Sequence, residues 1–228
     1  MKRRSILLGL GGVSVAGYML WPSIGQPPTN ENGIVPFTGD VISFSGEEAA
    51  THRFELENEG PTIIEFEHTG NGRVFIELIE RSTGTISRIM DFEGKATVQT
   101  LETLATGRHI IRIRGSPSNW SLGIHNYNVH QKGDQQVSDL PIELAGSHHR
   151  ATGPVYFDPV TDVRFVFRVE NGGGHRVALY DEQGVFVNGV FEFQSDGATT
   201  EEFTIRLKGV GYLSIQTRSE WTLNVSQR

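Results

Sequence analysis

Cysteine is absent from the 228 residues of the chain. This absence excludes disulfide bonds, thiolate nucleophiles and zinc or iron–sulfur sites held by cysteine. Basic residues are also few, because 20 lysines and arginines oppose 27 aspartates and glutamates, which gives a formal net charge of −7. The phosphate backbone of a nucleic acid repels a chain of this charge, so we expect no nucleic-acid partner.

The common catalytic and cofactor motifs are absent as well. The sequence has no Gly-x-Ser-x-Gly elbow, no His-Glu-x-x-His pair, no phosphate-binding loop and no dinucleotide fingerprint. Of the eight histidines, His148 and His149 are adjacent, and adjacent residues on a strand point to opposite faces. No carboxylate cluster with ligand spacing accompanies them. We therefore expect no enzyme, no catalytic residues, no cofactor and no metal site.

A hydrophobic segment opens the chain. Arg3 and Arg4 precede residues 5–21, which carry no charge, and a polar stretch rich in proline follows. This order is typical of a signal peptide and equally of an uncleaved membrane anchor, so residues 1–24 have two interpretations. We assign residues 25–38 as a polar linker. The rest of the chain is expected outside the cell or on its surface, and to meet the membrane only through the first segment.

The start of the chain resembles a twin-arginine export signal. In such signals two arginines precede a residue of any kind and then two apolar residues. Here Arg3 and Arg4 precede Ser5, Ile6 and Leu7. Sixteen arginines against four lysines in an acidic chain resemble the composition of salt-loving archaea, in which this export route is heavily used. The resemblance implies a haloarchaeal surface protein.

The body of the chain contains one pattern twice. Residues 41–46 return as residues 141–146, one hundred positions later, and the strand that begins at Trp120 returns at Trp221. Order and spacing hold along the whole unit, which is the signature of an internal repeat. The predicted division is a first unit at 39–128, a joint at 129–138 and a second unit at 139–228.

Apolar residues recur with a period of two in both units. Phe165, Phe167 and Val169 alternate with polar residues, for example, as in strands that bury one face. Asn188 and Gly189 form a strong signal for a two-residue hairpin. Each unit contains roughly seven or eight short strands separated by turn signals. The sheets that these strands form must each bury one face. We therefore predict an all-β fold of two tandem antiparallel β-sandwiches, jelly-roll-like, behind an N-terminal hydrophobic helix.

The strand patterns resemble the pre-peptidase C-terminal domains of bacteria and archaea. The resemblance rests on residues 53–56, 63–66, 72–79 and 107–122, and in the second unit on Leu179-Tyr180-Asp181 before a turn with glycine. It covers nearly all of both units, through strand alternation and turns. The resemblance implies non-catalytic sandwich modules of secreted and surface proteins. This chain departs from the pattern, since no enzyme is attached and no acidic pair precedes Leu179, so no calcium site is carried over.

Several side chains are candidates for burial or for function. Trp120 and Trp221 are in phase with core positions, so we expect both indoles to be buried. Asn119 and Asn224 each begin a sequon for N-glycosylation. Residues around the hairpin signal or out of phase with the core predict an exposed binding surface. The alternative is that this face packs against the other unit or covers the edge of the sandwich. The residues are Phe75, Tyr180, Phe186, Val190, Phe191 and Phe193.

These features favour an exported, non-enzymatic surface protein that acts as a binding or spacing module. Its expected partner is an envelope protein or a polysaccharide. A carbohydrate-binding accessory protein is the alternative that an exposed aromatic platform would favour. A subunit of a surface fibre or layer is the third alternative, in which an unpaired edge strand joins neighbouring copies.

Overall fold

The computed structural model describes residues 41–80, 83–127 and 138–228. These residues form sixteen β-strands, and the described ranges contain no helix. The all-β class and the antiparallel sheets predicted from the alternation are therefore confirmed. The predicted export segment with Arg3 and Arg4, the linker and nearly all of the joint lie outside the described residues. None of the described segments forms an apolar helix of membrane-spanning length.

The first half contains eight strands in two sheets. One sheet has the order β1-β8-β3-β6 and the other the order β2-β7-β4-β5. Alternate residues of both sheets, among them Phe66, Ile76 and Ile111, share one buried core. The strands are β1 (Val41–Gly46), β2 (Ala50–Leu56), β3 (Gly60–His68), β4 (Arg73–Glu80), β5 (Ile86–Glu93), β6 (Ala96–Leu104), β7 (Gly107–Gly115) and β8 (Trp120–Asn126).

The second half also contains eight strands. They are β9 (Ser138–Asp139), β10 (Ile142–Gly146), β11 (Arg150–Ala151), β12 (Val155–Val169), β13 (Gly173–Asp181), β14 (Phe186–Ser195), β15 (Thr199–Gln216) and β16 (Trp221–Gln227). The sheet order is β10-β16-β12-β15-β13-β14, and β11 pairs with β15. Only the short pair of β9 with β12 is parallel among the described strands.

The long strand β15 corresponds to β6 and β7 of the first half. It pairs with β12 as far as Gly211 and with β13 from Gly211 to Gln216. The orders β10-β16-β12-β15 and β11-β15-β13-β14 therefore repeat the two sheet orders of the first half. A second buried core, with Phe165, Phe167 and Leu223 among its members, lies within this half.

A tryptophan lies in the same place in each core. Trp120 and Trp221 are buried, as the sequence predicted. The indole N–H of Trp120 donates to the carbonyl oxygen of Glu48 at 2.9 Å, and that of Trp221 donates to the carbonyl oxygen of His148 at 3.0 Å. A Cβ atom on Gly46 would lie 2.7 Å from Cζ2 of Trp120. The indole therefore occupies the space that a side chain at this position would need.

The two halves are in direct contact through a third apolar cluster. The rings of Tyr127 and Tyr212 have their centroids 5.8 Å apart. Burial raises the pKa of both phenols, so both stay neutral at physiological pH. The cluster comprises Ile63, Leu101, Tyr127, Ala151 and Tyr212, with Tyr180 packed against it.

Hydrogen bonds between the edge strand β6 and the second half reinforce this contact. The backbone N–H of Gln99 donates to the carbonyl oxygen of His149 at 3.0 Å, and the backbone N–H of Ala151 donates to Oε1 of Gln99 at 3.3 Å. The hydroxyl of Thr103 donates to the carbonyl oxygen of Gly184 at 2.6 Å. An edge of one sheet in each half is therefore occupied within the chain.

The predicted hairpin at Asn188 and Gly189 is wrong. Both residues lie inside β14, opposite β13, and the register shifts on either side of them. The chain turns earlier, at Gly184 with a φ of 76°. There the Asp181 carboxylate accepts the backbone N–H groups of Gln183 and Val185 at 2.9 and 2.8 Å. The Asp181 turn closes the hairpin, and Asn188 and Gly189 lie between two bulges.

We predict that Gly46→Ala and Gly146→Ala each lower the free energy of unfolding by about 1–3 kcal/mol, because the added methyl group displaces a buried indole. At Gly146 the added Cβ atom would lie 3.0 Å from Cζ2 of Trp221. Gly197→Ala is the matched control, since a Cβ atom there meets nothing within 4 Å. Urea unfolding followed by tryptophan fluorescence measures the three differences. Equal stability of all three variants would contradict the packing role of the two glycines.

Candidate functional site

The apolar candidates around the hairpin signal have different environments. Phe191 is only 6% exposed, and its ring stacks on Phe167 with centroids 5.8 Å apart. Val190 is buried in the same core, and Phe193 is half-buried against it. The expectation of an exposed surface is therefore wrong at Phe191 and Val190. The physical reason is the bulge in β14, which turns two consecutive side chains toward the core.

Phe75 and Tyr180 do not form an open aromatic platform. The guanidinium groups of Arg73 and Arg88 lie over the Phe75 ring, 5.0 and 4.5 Å from its centroid. Tyr180 is half-buried and packs against the cluster between the two halves. Tyr180 therefore packs against the other half, which is the alternative to an exposed surface.

Phe186 is the exposed aromatic candidate, with 49% of its surface accessible. Its neighbours Val185 and Val187 are also exposed, and we call these three residues the β14 ridge. The ring of Tyr180 meets Phe186 edge-on at 5.9 Å. The guanidinium carbon of Arg176 lies 5.6 Å from the centroid of the Phe186 ring. The ridge therefore presents an aromatic ring that is held in place from two sides.

An open cleft of about 880 Å³ lies next to the β14 ridge, because its lining includes Arg176, which contacts Phe186; we call it the β13 cleft. Its lining combines two histidines, two arginines, a carboxylate, two amides and one aromatic ring. The lining residues are His149, Gly172, Gly173, Gly174, His175, Arg176, Glu192, Phe193, Gln194, Gln216, Thr217 and Arg218.

His175 lies at the buried side of the cleft. Its Nδ1 is 2.8 Å from Oγ1 of Thr217, and its Nε2 is 3.1 Å from Oγ of Ser195. Burial lowers the pKa of His175, so the imidazole is neutral at physiological pH. A serine hydroxyl beside a neutral imidazole is also the pairing used in nucleophilic catalysis.

His68 makes the corresponding connection in the first half through hydrogen bonds to backbone groups. Its Nδ1 lies 2.8 Å from the carbonyl oxygen of Gly94, and its Nε2 accepts the backbone N–H of Ser118 at 3.1 Å. Gly94 is in the β5–β6 turn and Ser118 in the β7–β8 loop, which correspond to the loops that His175 connects. A buried histidine thus joins the same two loops in both halves, and this favours a structural role for His175.

The two arginines of the cleft have no acidic partner within ion-pair distance among the described residues. The Nε atom of Arg176 is buried without a hydrogen-bond partner. Arg218 is exposed and lies near Asp91 of the first half. The pKa of Asp91 is lowered mainly by its hydrogen bond to Arg73, with smaller contributions from Arg88 and Arg218. The Asp91 carboxylate is therefore already engaged by another arginine.

His149 completes one wall of the cleft. Burial lowers its pKa, and the positive charge of Arg218 adds to the effect. His148 instead contacts Ser147, with Nδ1 and Oγ 2.9 Å apart. Within the described residues no group of three or more side chains is arranged to hold a metal ion.

Both sequon asparagines lie at the surface. Asn119 is exposed in the β7–β8 loop, with a φ of 47°. Asn224 is exposed on β16, opposite Glu143 and Val166 of the neighbouring strands. Neither side chain is covered by the core that surrounds Trp120.

Arg176 and Arg218 belong to no motif of the sequence. The available signal was weak: Arg176 alternates with the core residues Val177 and Leu179, which only places its side chain on the outer face. The outer face around Arg176 remains open because of the way in which the two halves pack. A local sequence pattern does not predict this packing. The three consecutive glycines Gly172–Gly174 also line the cleft.

Comparison with known proteins assigns no family. No family model and no curated protein matches the chain. Among solved structures, a peptide-N(4)-(N-acetyl-β-D-glucosaminyl) asparagine amidase aligns with 82% of this chain and 96% of its own, at 9% identity and a TM-score of 0.30. The PBSX exported protein XepA aligns with 82% of this chain and 84% of its own, at 10% identity and a TM-score of 0.28.

A viral protein shows a similarly low sequence identity and TM-score. The stem and receptor binding domain of the spike protein P1 from bacteriophage PM2 aligns with 89% of this chain and 100% of its own, at 9% identity and a TM-score of 0.21. Likenesses of this strength carry no argument about family or function.

We predict that Phe186→Ser changes the free energy of unfolding by less than about 1 kcal/mol, because half of the ring already faces solvent. Phe191→Ser removes a ring from the packed core and is expected to cost about 3–5 kcal/mol. Thermal unfolding followed by circular dichroism distinguishes the two variants. Similar losses in both would mean that the β14 ridge is part of the core and not a free surface.

Proposed function

We propose that this chain is an exported, non-enzymatic surface protein that binds carbohydrate of the cell envelope through the β14 ridge and the β13 cleft. The observation that carries the proposal is the exposed ring of Phe186 beside a cleft lined by amide, carboxyl and guanidinium groups. Sugar rings present apolar C–H faces together with many hydroxyl groups. An aromatic face and planar polar side chains complement both features.

The proposed architecture is two tandem jelly-roll-like sandwiches behind an export or anchor helix. The repeated sheet orders and the two separate cores support it. In this proposal residues 1–24 direct export or hold the chain at the membrane, and residues 25–38 connect this segment to the sandwiches. The contact between the halves then fixes the position of the cleft relative to the first sandwich.

Two features of the described residues, at the β6 edge and on one outer sheet face, oppose assembly into a fibre there and so support a binding role. The edge strand β6 contacts β11 within the chain. The outer face of the sheet that contains β12 and β15 carries exposed ion pairs, such as Arg164 with Glu202 at 2.7 Å and Arg206 with Asp162 at 3.7 Å. Solvated charges of this kind keep a sheet face soluble and oppose stacking between copies.

We predict that export depends on the arginine pair. In intact cells that possess the twin-arginine route, protease added outside should digest a C-terminally tagged full chain, whereas the tag of an Arg3→Lys, Arg4→Lys double variant should be protected. Lys2→Arg is the control, because it keeps the charge and leaves the pair intact. Protection of the wild-type tag would contradict export, and digestion of the double variant would contradict the proposed route.

We predict saturable retention of the detergent-solubilised full chain on protein-free envelope polysaccharide in matched salt. Phe186→Ser should weaken retention by about five-fold or more, because the loss of a central aromatic contact typically costs more than about 1 kcal/mol. Ile86→Ser is the control, since Ile86 is an exposed apolar residue of the first half. No saturable retention, or equal losses in both variants, would contradict carbohydrate binding at this surface.

A further inference from the structure

Arg176 occupies the centre of the candidate surface. On β13 it lies opposite Glu192 of β14 and Gln216 of β15. The ring of Phe186 supports its guanidinium group at 5.6 Å. A guanidinium group that is held in one orientation loses little freedom when it binds a planar anion, and its fork matches two oxygens of a carboxylate.

The hydrogen-bonding capacity of Arg176 is not fully used within the described residues. Its Nε atom is buried and has no acceptor. Several other arginines on the sheet faces pair with acids: Arg73 with Asp91, Arg112 with Glu77 and Arg164 with Glu202. A buried donor of a charged group is unfavourable when it lacks an acceptor. An anionic ligand in the cleft would add acceptors for the accessible part of the guanidinium group, since the Arg176 side chain is only half-buried.

The charges that line the cleft add to a net positive value. Arg176 and Arg218 carry two positive charges, and Glu192 carries one negative charge. Burial lowers the pKa of both His149 and His175, so these two side chains are neutral at physiological pH. The complete chain carries −7 and repels polyanions at long range, and salt screens this repulsion. Retention of a polyanion therefore requires a local cationic site.

We infer that the β13 cleft selects acidic sugar units, with Arg176 binding the anionic group and Arg218 adding a second positive charge. The anionic group is a carboxylate or a sulfate ester, since both present several oxygens to a guanidinium fork. This inference rests on the proposed carbohydrate binding and adds the class of ligand. Glu192, Gln194 and Gln216 are then available to bind sugar hydroxyls.

The test compares matched polymers that differ only in charge. The detergent-solubilised full chain is titrated against immobilised polygalacturonate and its fully methyl-esterified form, and against dextran sulfate and dextran, in constant salt. We expect an acidic polymer to bind about ten-fold or more tightly than its neutral counterpart, because hydrogen bonds to a charged group are lost with esterification. The polymer pair that shows the preference distinguishes carboxylate from sulfate ester.

Variants assign the preference to the cleft. Arg176→Gln should remove most of the preference, and Arg218→Gln, at an exposed position, should reduce it to a smaller extent. Arg164→Gln is the control, because this arginine lies outside the cleft and pairs with Glu202. Unchanged thermal unfolding of Arg218→Gln keeps the test valid even where Arg176→Gln affects folding.

The outcomes separate this inference from the proposed function. Equal binding of charged and neutral polymers would overturn acid selection and leave carbohydrate binding intact. A preference that persists in Arg176→Gln and Arg218→Gln would also overturn it, because the charge would then be recognised elsewhere. Failure to bind these polymers and the envelope polysaccharide alike would overturn both proposals.

Discussion

The packed contact between the two halves determines which surfaces of the protein remain free. Tyr212 lies on the outer face of the sheet that contains β13 and β15, and it is buried against Tyr127. Farther along the same two strands, Arg176 and Gln216 are half-buried and line the β13 cleft. The first half thus covers one part of this sheet face and leaves the other part open.

Both halves contain a buried tryptophan packed on a glycine and a buried histidine that joins two loops, but only some of these residues correspond in sequence. In each core the indole of a tryptophan packs against a glycine and donates to a backbone carbonyl, and these residues correspond in sequence. The histidines that join the loops do not correspond, because His68 ends β3 whereas His175 belongs to β13. Each half therefore needs a buried ring that forms hydrogen bonds to both loops. A histidine on either of two neighbouring strands can provide this ring.

Local pattern predicted most of the strands because each strand buries one face. Trp120 and Trp221 followed from the same alternation. The bulges in β14 could not be predicted from alternation, because they depend on pairing with β13. They change which side chains face the core. Phe191 was therefore misassigned, because the prediction placed it beside a hairpin at Asn188 and Gly189 and not inside a bulged strand.

The candidate site was less predictable than the fold. Phe186 was identified from its position near a turn signal, but Arg176 was not identified. Its environment depends on β14, β15 and the packing of the first half, which are distant in sequence. The exposure of an outer strand face is set by such non-local contacts, whereas alternation reports only which face a side chain belongs to.

Hydrogen exchange of the full chain with and without protein-free envelope polysaccharide tests the central claim most directly, because it locates binding without any substitution. Slower exchange in peptides that cover residues 170–176, 182–187 and 216–218, with no change in β2, β4, β5 and β7, is the predicted result. Slower exchange confined to the first half, or no change at saturating polysaccharide, would contradict recognition through the β13 cleft and the β14 ridge.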